Sequence, residues 1–108
     1  MKKYQIYQID LDNADVLKEH KAFMHWGYII NHTSGFNLQQ YKKVYEGTLP
    51  EMADKEEYEY LEDLFMMFNL KHPDDFQARS MSTSDVVILD KTIYYCDSYG
   101  WKEVANVE

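Results

Sequence analysis

Between Asp54 and Phe68 the apolar residues Tyr58, Leu61, Leu64, Phe65 and Phe68 fall within one stripe about 120° wide at 100° per residue. Glu56, Glu59, Glu62 and Asp63 lie on the opposite arc. A short segment patterned in this way is stable as a helix only when its stripe packs on other elements of the same domain. The spacing therefore predicts an amphipathic helix over 54–68 that buries Leu61, Leu64, Phe65 and Phe68. It also turns the acidic run into a coherent helix face.

Strands are the natural cover for that stripe. Tyr4–Ile9 is rich in aromatic and β-branched residues, with Tyr4 and Ile6 pointing to one face and Tyr7 and Ile9 to the other. Tyr41–Leu49 reads as a second strand, closed by Pro50. Asp85–Leu89 and Thr92–Cys96 read as a hairpin, and Trp101–Val104 as a third strand after the turn Asp97-Ser98-Tyr99-Gly100. The hairpin link Asp90-Lys91 is a weak turn signal, because a tight primed turn prefers glycine second.

Two further helices are expected. One begins near Ala14 after Asp12 or Asn13 as cap. The other runs from Ala22 to His32, where Phe23, Trp26, Ile29 and Ile30 recur at helical spacing and Gly35 follows the end. His72-Pro73-Asp74-Asp75-Phe76 reads as a turn, with Pro73 suited to a first helical position. At 108 residues without repeats or a linker, the chain predicts one α+β domain over 1–108. Its antiparallel or mixed sheet carries a C-terminal β-meander and packs against two or three helices.

Charge narrows the partners. The chain carries a net −8, and residues 46–63 hold eight acids against one base, Lys55. The other ninety residues are nearly balanced, with eleven acids and ten bases. Such a field repels phosphate backbones and attracts basic surfaces, so direct nucleic-acid binding is not expected. A solvated face that only keeps the protein soluble is the plainer alternative. Apolar runs are too short for a membrane span, the start lacks a signal-peptide stretch, and one cysteine excludes an internal disulfide. A cytoplasmic protein is expected.

The chemistry-bearing residues are scattered. His20, His25, His32 and His72 do not sit at zinc-site spacings, and no metal or cofactor is expected. Cys96 ends an apolar run, where cysteine acts as a small core residue. Ser80-Met81-Ser82-Thr83-Ser84-Asp85 has four hydroxyls and an acid but no glycines of a nucleophile elbow, so local turns explain it. The adjacent pairs Glu62-Asp63 and Asp74-Asp75 are read as solvated. The residues expected to meet a partner are Glu56, Glu59, Glu62 and Asp63, with Tyr60 or Met66 as apolar anchor.

Several stretches taken in order resemble the YodL-like domain family. They are Tyr4-Gln5-Ile6-Tyr7-Gln8-Ile9, Tyr45-Glu46-Gly47-Thr48-Leu49, Leu61-Glu62-Asp63-Leu64-Phe65 and His72-Pro73-Asp74-Asp75-Phe76. The tail adds Arg79 to Leu89 and Tyr94 to Val104. Two departures concern turns: Gln77-Ala78 where the family tends to have a glycine before the first serine, and Asp90-Lys91 in place of an Asn-Gly type of pair. The resemblance implies a protein of Firmicutes mobile genetic elements, mostly without known activity, whose name-giving member is regarded as an inhibitor of the bacterial actin-like cytoskeleton.

By analogy with other small acidic proteins of such elements, the expected function is non-enzymatic inhibition of a host protein. An anti-defence role, anti-CRISPR or anti-restriction, is expected first. There the acidic helix would occlude the basic surface of a nuclease or other nucleic-acid-binding effector. The alternatives are inhibition of a cytoskeletal filament protein, or a small accessory module of unknown activity.

Overall fold

The structure is a computed structural model that describes residues 1–107. The elements are strand β1 (Lys2–Ile9), helix α1 (Ala14–Glu19), helix α2 (Trp26–His32), a 3-10 turn at Leu38–Gln40, strand β2 (Tyr41–Leu49), helix α3 (Glu57–Leu70), and strands β3 (Val86–Leu89), β4 (Thr92–Asp97) and β5 (Gly100–Asn106). All five strands form one sheet in the order β2-β1-β3-β4-β5, and every pairing is antiparallel. The architecture is α+β, and the meander β3-β4-β5 forms its C-terminal part.

Both faces of the sheet are covered, which is why β3 is buried at all four positions. On one face Tyr4, Ile6, Val87, Leu89 and Tyr94 pack against Tyr60, Leu61, Leu64 and Phe68 of α3, with Phe76 and Met81 closing the margin. On the other, Val86, Ile88, Ile93 and Tyr95 meet Ile29 of α2, with Trp26, Phe36 and Tyr41 around them. Asn13 caps α1, accepting from Asp15 and Val16 at 2.9 and 3.1 Å.

The second expected helix is shorter than its periodicity suggests. It starts at Trp26, because His25 is its N-cap and Phe23 takes a left-handed φ of 65°. Phe23 is exposed rather than core, and its ring lies under the Arg79 guanidinium at 4.7 Å. No helix follows Pro73; the turn instead brings Phe76 onto Phe68 at 4.8 Å between ring centroids. Lys21 explains how the 21–40 segment holds together. Its buried ammonium donates to Ser34 Oγ, Gly35 O and Gln40 Oε1 at 3.1, 2.8 and 2.8 Å.

The Asp90-Lys91 hairpin is stabilised from outside the turn. Asp90 adopts φ 53°, and its carboxylate accepts from the Lys3 amide at 3.0 Å and from Lys2 Nζ at 3.1 Å. Aspartate tolerates the left-handed region, and β1 supplies the fixing bonds that glycine would have made unnecessary.

Candidate functional site

Helix α3 begins later and ends later than its stripe predicts. Glu56 is the N-cap and forms a capping box with Glu59, whose Oε1 accepts the Glu56 amide at 3.2 Å. Two of the four acids expected to meet a partner therefore also start the helix. Asp63 forms an ion pair with Lys55. Glu62 is exposed and has no ion pair or side-chain hydrogen bond among the described residues.

The tyrosines exchange the places expected of them. Tyr60, expected as an exposed anchor, is 1% exposed and belongs to the core. Tyr58, placed within the apolar stripe, is 62% exposed. The two flank the apolar stripe on opposite sides, so cover from elsewhere decides between them. That cover is the 52–55 segment. The Tyr60 hydroxyl accepts the Met52 amide at 2.9 Å, and Lys55 and Lys2 lie over its ring at 4.7 and 5.5 Å. Phe65 is only half-buried, against Trp101 of β5.

The outward arc of α3 is consequently mixed. Met66 is 56% exposed and Leu70, one residue past the expected helix, is 78% exposed. Tyr58, Met66 and Leu70 alternate around the helix with Glu59 and Glu62, and their span is about 18 Å at 1.5 Å per residue. Leu70 lies beyond the predicted stripe, which ends at Phe68, and Tyr58 sits at that stripe's edge. At the start of the helix, Met52, Ala53, Asp54, Lys55, Glu59 and Asp63 line an open cleft of about 430 Å³.

The Ser80–Asp85 segment is a different kind of place. Asp85 is fully buried and bonded to Arg79 Nη2 at 2.7 Å, the Ser82 amide at 2.9 Å and Gln8 Nε2 at 3.3 Å. The expected local turn is present in the Ser82–Asp85 bond. What the spacing did not reveal is that Arg79 and Gln8 complete the carboxylate's shell. Burial raises Asp85 above the usual carboxylate range, against the opposing pull of Arg79, Ser82 and Gln8. Ser84, at φ 82°, accepts the Phe23 amide at 3.0 Å on Oγ, and its carbonyl accepts from the Tyr41 hydroxyl at 2.7 Å. The Asp85 carboxylate and the Ser84 hydroxyl and carbonyl are all turned inward, as in a structural clasp.

The remaining candidates hold structural positions. Cys96 is 4% exposed, and burial pushes its thiol up to about 12, the opposite of nucleophile activation. His25 Nδ1 accepts the Tyr28 amide, His20 closes α1, and the His72 ring lies beside Phe76. Among the described residues no group of three His, Cys, Asp or Glu is placed to hold a metal ion. No helix there is long and apolar enough to cross a membrane.

A small two-faced α+β domain with a mixed acidic and apolar helix face is the class that these features define. The family model of the YodL-like domain matches residues 3–107, and the chain belongs to that family. No curated protein and no solved structure was found to match it.

Proposed function

We propose that this chain is a non-enzymatic, cytoplasmic protein-binding inhibitor that covers a basic surface of a host protein with the outward face of α3. The reading chosen is an anti-defence role, with a nuclease or other nucleic-acid-binding effector as target. One observation carries it: Tyr58, Met66 and Leu70 stand exposed among Glu59 and Glu62 on one arc. A face that served only solubility would have no use for three large apolar side chains. Carboxylates interleaved with apolar anchors suit a basic surface with recesses, where charge steers the encounter and the anchors hold the complex. A surface built for phosphates has the matching chemistry. The anti-defence assignment itself rests on the family's association with mobile elements, by analogy.

A second reading, inhibition of a cytoskeletal filament protein, draws on the same three apolar side chains. There they would enter a groove between filament subunits and the acids would be secondary.

The test is capture from a Firmicutes lysate with the wild-type chain and two variants, followed by assay of the captured protein. The Glu59→Gln, Glu62→Lys, Asp63→Asn variant, in which a glutamine can still accept the Glu56 amide, is expected to lose capture and inhibition while remaining folded. Binding of wild type is expected to weaken with salt as the Debye length falls below about 10 Å. The Tyr58→Ala, Met66→Ala variant is expected to keep the fast encounter but dissociate faster. Capture that is indifferent to both variants would remove α3 from the interface. Sensitivity to the apolar pair alone, with a filament protein captured, would favour the second reading.

A further inference from the structure

Beside the outward face of α3, a slot of about 150 Å³ opens between the helix and the β4–β5 turn. Phe65 and Trp101 form its apolar wall, edge to face with centroids 6.5 Å apart. Cys96 lines it from below, and Glu62 and Asp97 stand at its rim. The Asp97 carboxylate accepts the Trp26 and Ser98 amides at 3.1 and 2.8 Å through a single oxygen, Oδ1. Among the described residues neither Glu62 nor Asp97 is in an ion pair.

The molecule shows elsewhere what it does with a ring and a carboxylate set together. Arg79 lies over Phe23 and bonds to Asp85. Lys55 lies over Tyr60 and pairs with Asp63. Lys2 lies over the same ring and pairs with Glu57 at 3.6 Å and Asp90 at 3.1 Å. Each of these cations has both kinds of neighbour. The slot repeats the combination, two carboxylates and two rings, and among the described residues no cation lines it.

We propose that this slot receives one arginine side chain of the partner protein. A guanidinium is flat, weakly hydrated and able to lie along an aromatic wall while its donors reach two separate carboxylates; an ammonium is a compact, strongly hydrated point charge. A hard metal ion would need six or more oxygen ligands, which two carboxylates beside aromatic rings do not supply. Because Glu62 belongs to both the rim and the outward arc of α3, an arginine in the slot would extend from a partner seated on that arc. The inference rests on the proposed function and names the residue type that the partner brings.

The test uses hexa-arginine and hexa-lysine peptides, equal in charge, titrated into the full chain at one ionic strength. Binding is followed through the two indole N–H signals, Trp26 and Trp101. Hexa-arginine is expected to bind at least threefold more tightly than hexa-lysine, and to move the Trp101 signal while leaving Trp26 in place. Glu62→Gln, at an exposed position that folding does not require, is expected to reduce that preference. Trp101→Leu is expected to remove it, with circular dichroism reporting the fold. Equal affinity for the two peptides, an unmoved Trp101 signal, or a preference unchanged in Glu62→Gln would each overturn the slot while leaving the acidic face intact as a basic-partner site. Failure of both peptides to bind would overturn the slot and the acidic face together.

Discussion

Arg79 and Asp85 face each other at 2.7 Å, with the carboxylate fully buried and the guanidinium stacked on Phe23. Arg79→Met would leave a buried charge with only the Ser82 amide and Gln8 as donors. That change is expected to cost about 3–5 kcal/mol, the usual penalty for removing one partner of a buried pair. Arg79→Met combined with Asp85→Asn is expected to recover part of the loss, since no charge then stays buried. Urea unfolding measures both, and a single variant within about 1 kcal/mol of wild type would show the clasp to be dispensable.

Phe68 and Phe65 are expected to differ although both lie on the apolar stripe of α3. Phe68 is enclosed by the rings of Tyr4, Tyr45 and Phe76 at 6.1, 5.3 and 4.8 Å. Phe68→Ala should cost about 3–5 kcal/mol through lost burial and a residual cavity. Phe65→Ala, from a half-buried site, should cost roughly 1–2 kcal/mol, in proportion to the smaller area removed from water. Equal losses would contradict this placement of Phe65.

Gly47 lies under the Tyr4 ring, where a Cβ would stand 2.7 Å from the hydroxyl oxygen and 2.9 Å from the carbon bearing it. Tyr4 is buried in the core and its ring has little room to withdraw. Gly47→Ala is expected to destabilise by about 1–3 kcal/mol, the range for an overpacked core. Combining it with Tyr4→Leu should cost less than the sum of the two single changes. A thermal scan that finds the two losses additive would show that the ring and the glycine do not compete for this space.

Stability should fall as the solution is made alkaline. Burial holds the Cys96 thiol up to about 12, and a hydrogen bond to Asp75 holds the Tyr45 phenol up to about 12. Burial also raises Tyr41, Tyr94 and Tyr95. In the unfolded chain a thiol ionises near about 8.5 and a phenol near about 10. Over that window the unfolded state has released protons that the folded state keeps, so unfolding gains with rising pH. The urea midpoint is expected to decline from about pH 8.5 upward, with a shallower initial decline in Cys96→Ala. A thiol reagent at neutral pH should label Cys96 far more slowly in the native protein than in the unfolded chain, because the thiol is 4% exposed and held protonated. Immediate labelling of the native protein would refute the burial of this group.

The strands were legible because their patterns are local. Tyr41–Leu49 has the bounds that its residues suggest, and β3 and β4 stand out as β-branched and aromatic runs between turn residues. Helix ends were less so. Asp54 looks helical by charge alone, but the Glu56–Glu59 capping box sets the start. Periodicity extends the second helix back through Phe23, whose left-handed backbone is fixed by the hydrogen bond its amide donates to Ser84 Oγ far along the chain. The same distance effect governs the candidate site. Whether Tyr58 or Tyr60 faces water depends on Met52, Lys55 and Lys2, and the slot pairs Glu62 and Phe65 with Asp97 and Trp101. No spacing within α3 carries that information.

The place of β1 between β2 and β3 also bears on how the domain assembles. Tyr4 pairs with Leu89 and Ile6 with Val87, so joining β1 to β3 closes a loop that takes in most of the chain. The β1–β2, β3–β4 and β4–β5 pairings do not need that closure, but the two parts of the sheet join only through it, which places folding toward the slow end, in the range of about milliseconds to seconds. A hairpin of β1 and β2 formed ahead of it would leave one edge of β1 open, displaying Tyr4, Ile6 and unpaired amides to any passing strand. Crowding during synthesis is thus a hazard written into the strand order, and truncation before Val86 should yield a chain that aggregates rather than a smaller folded domain.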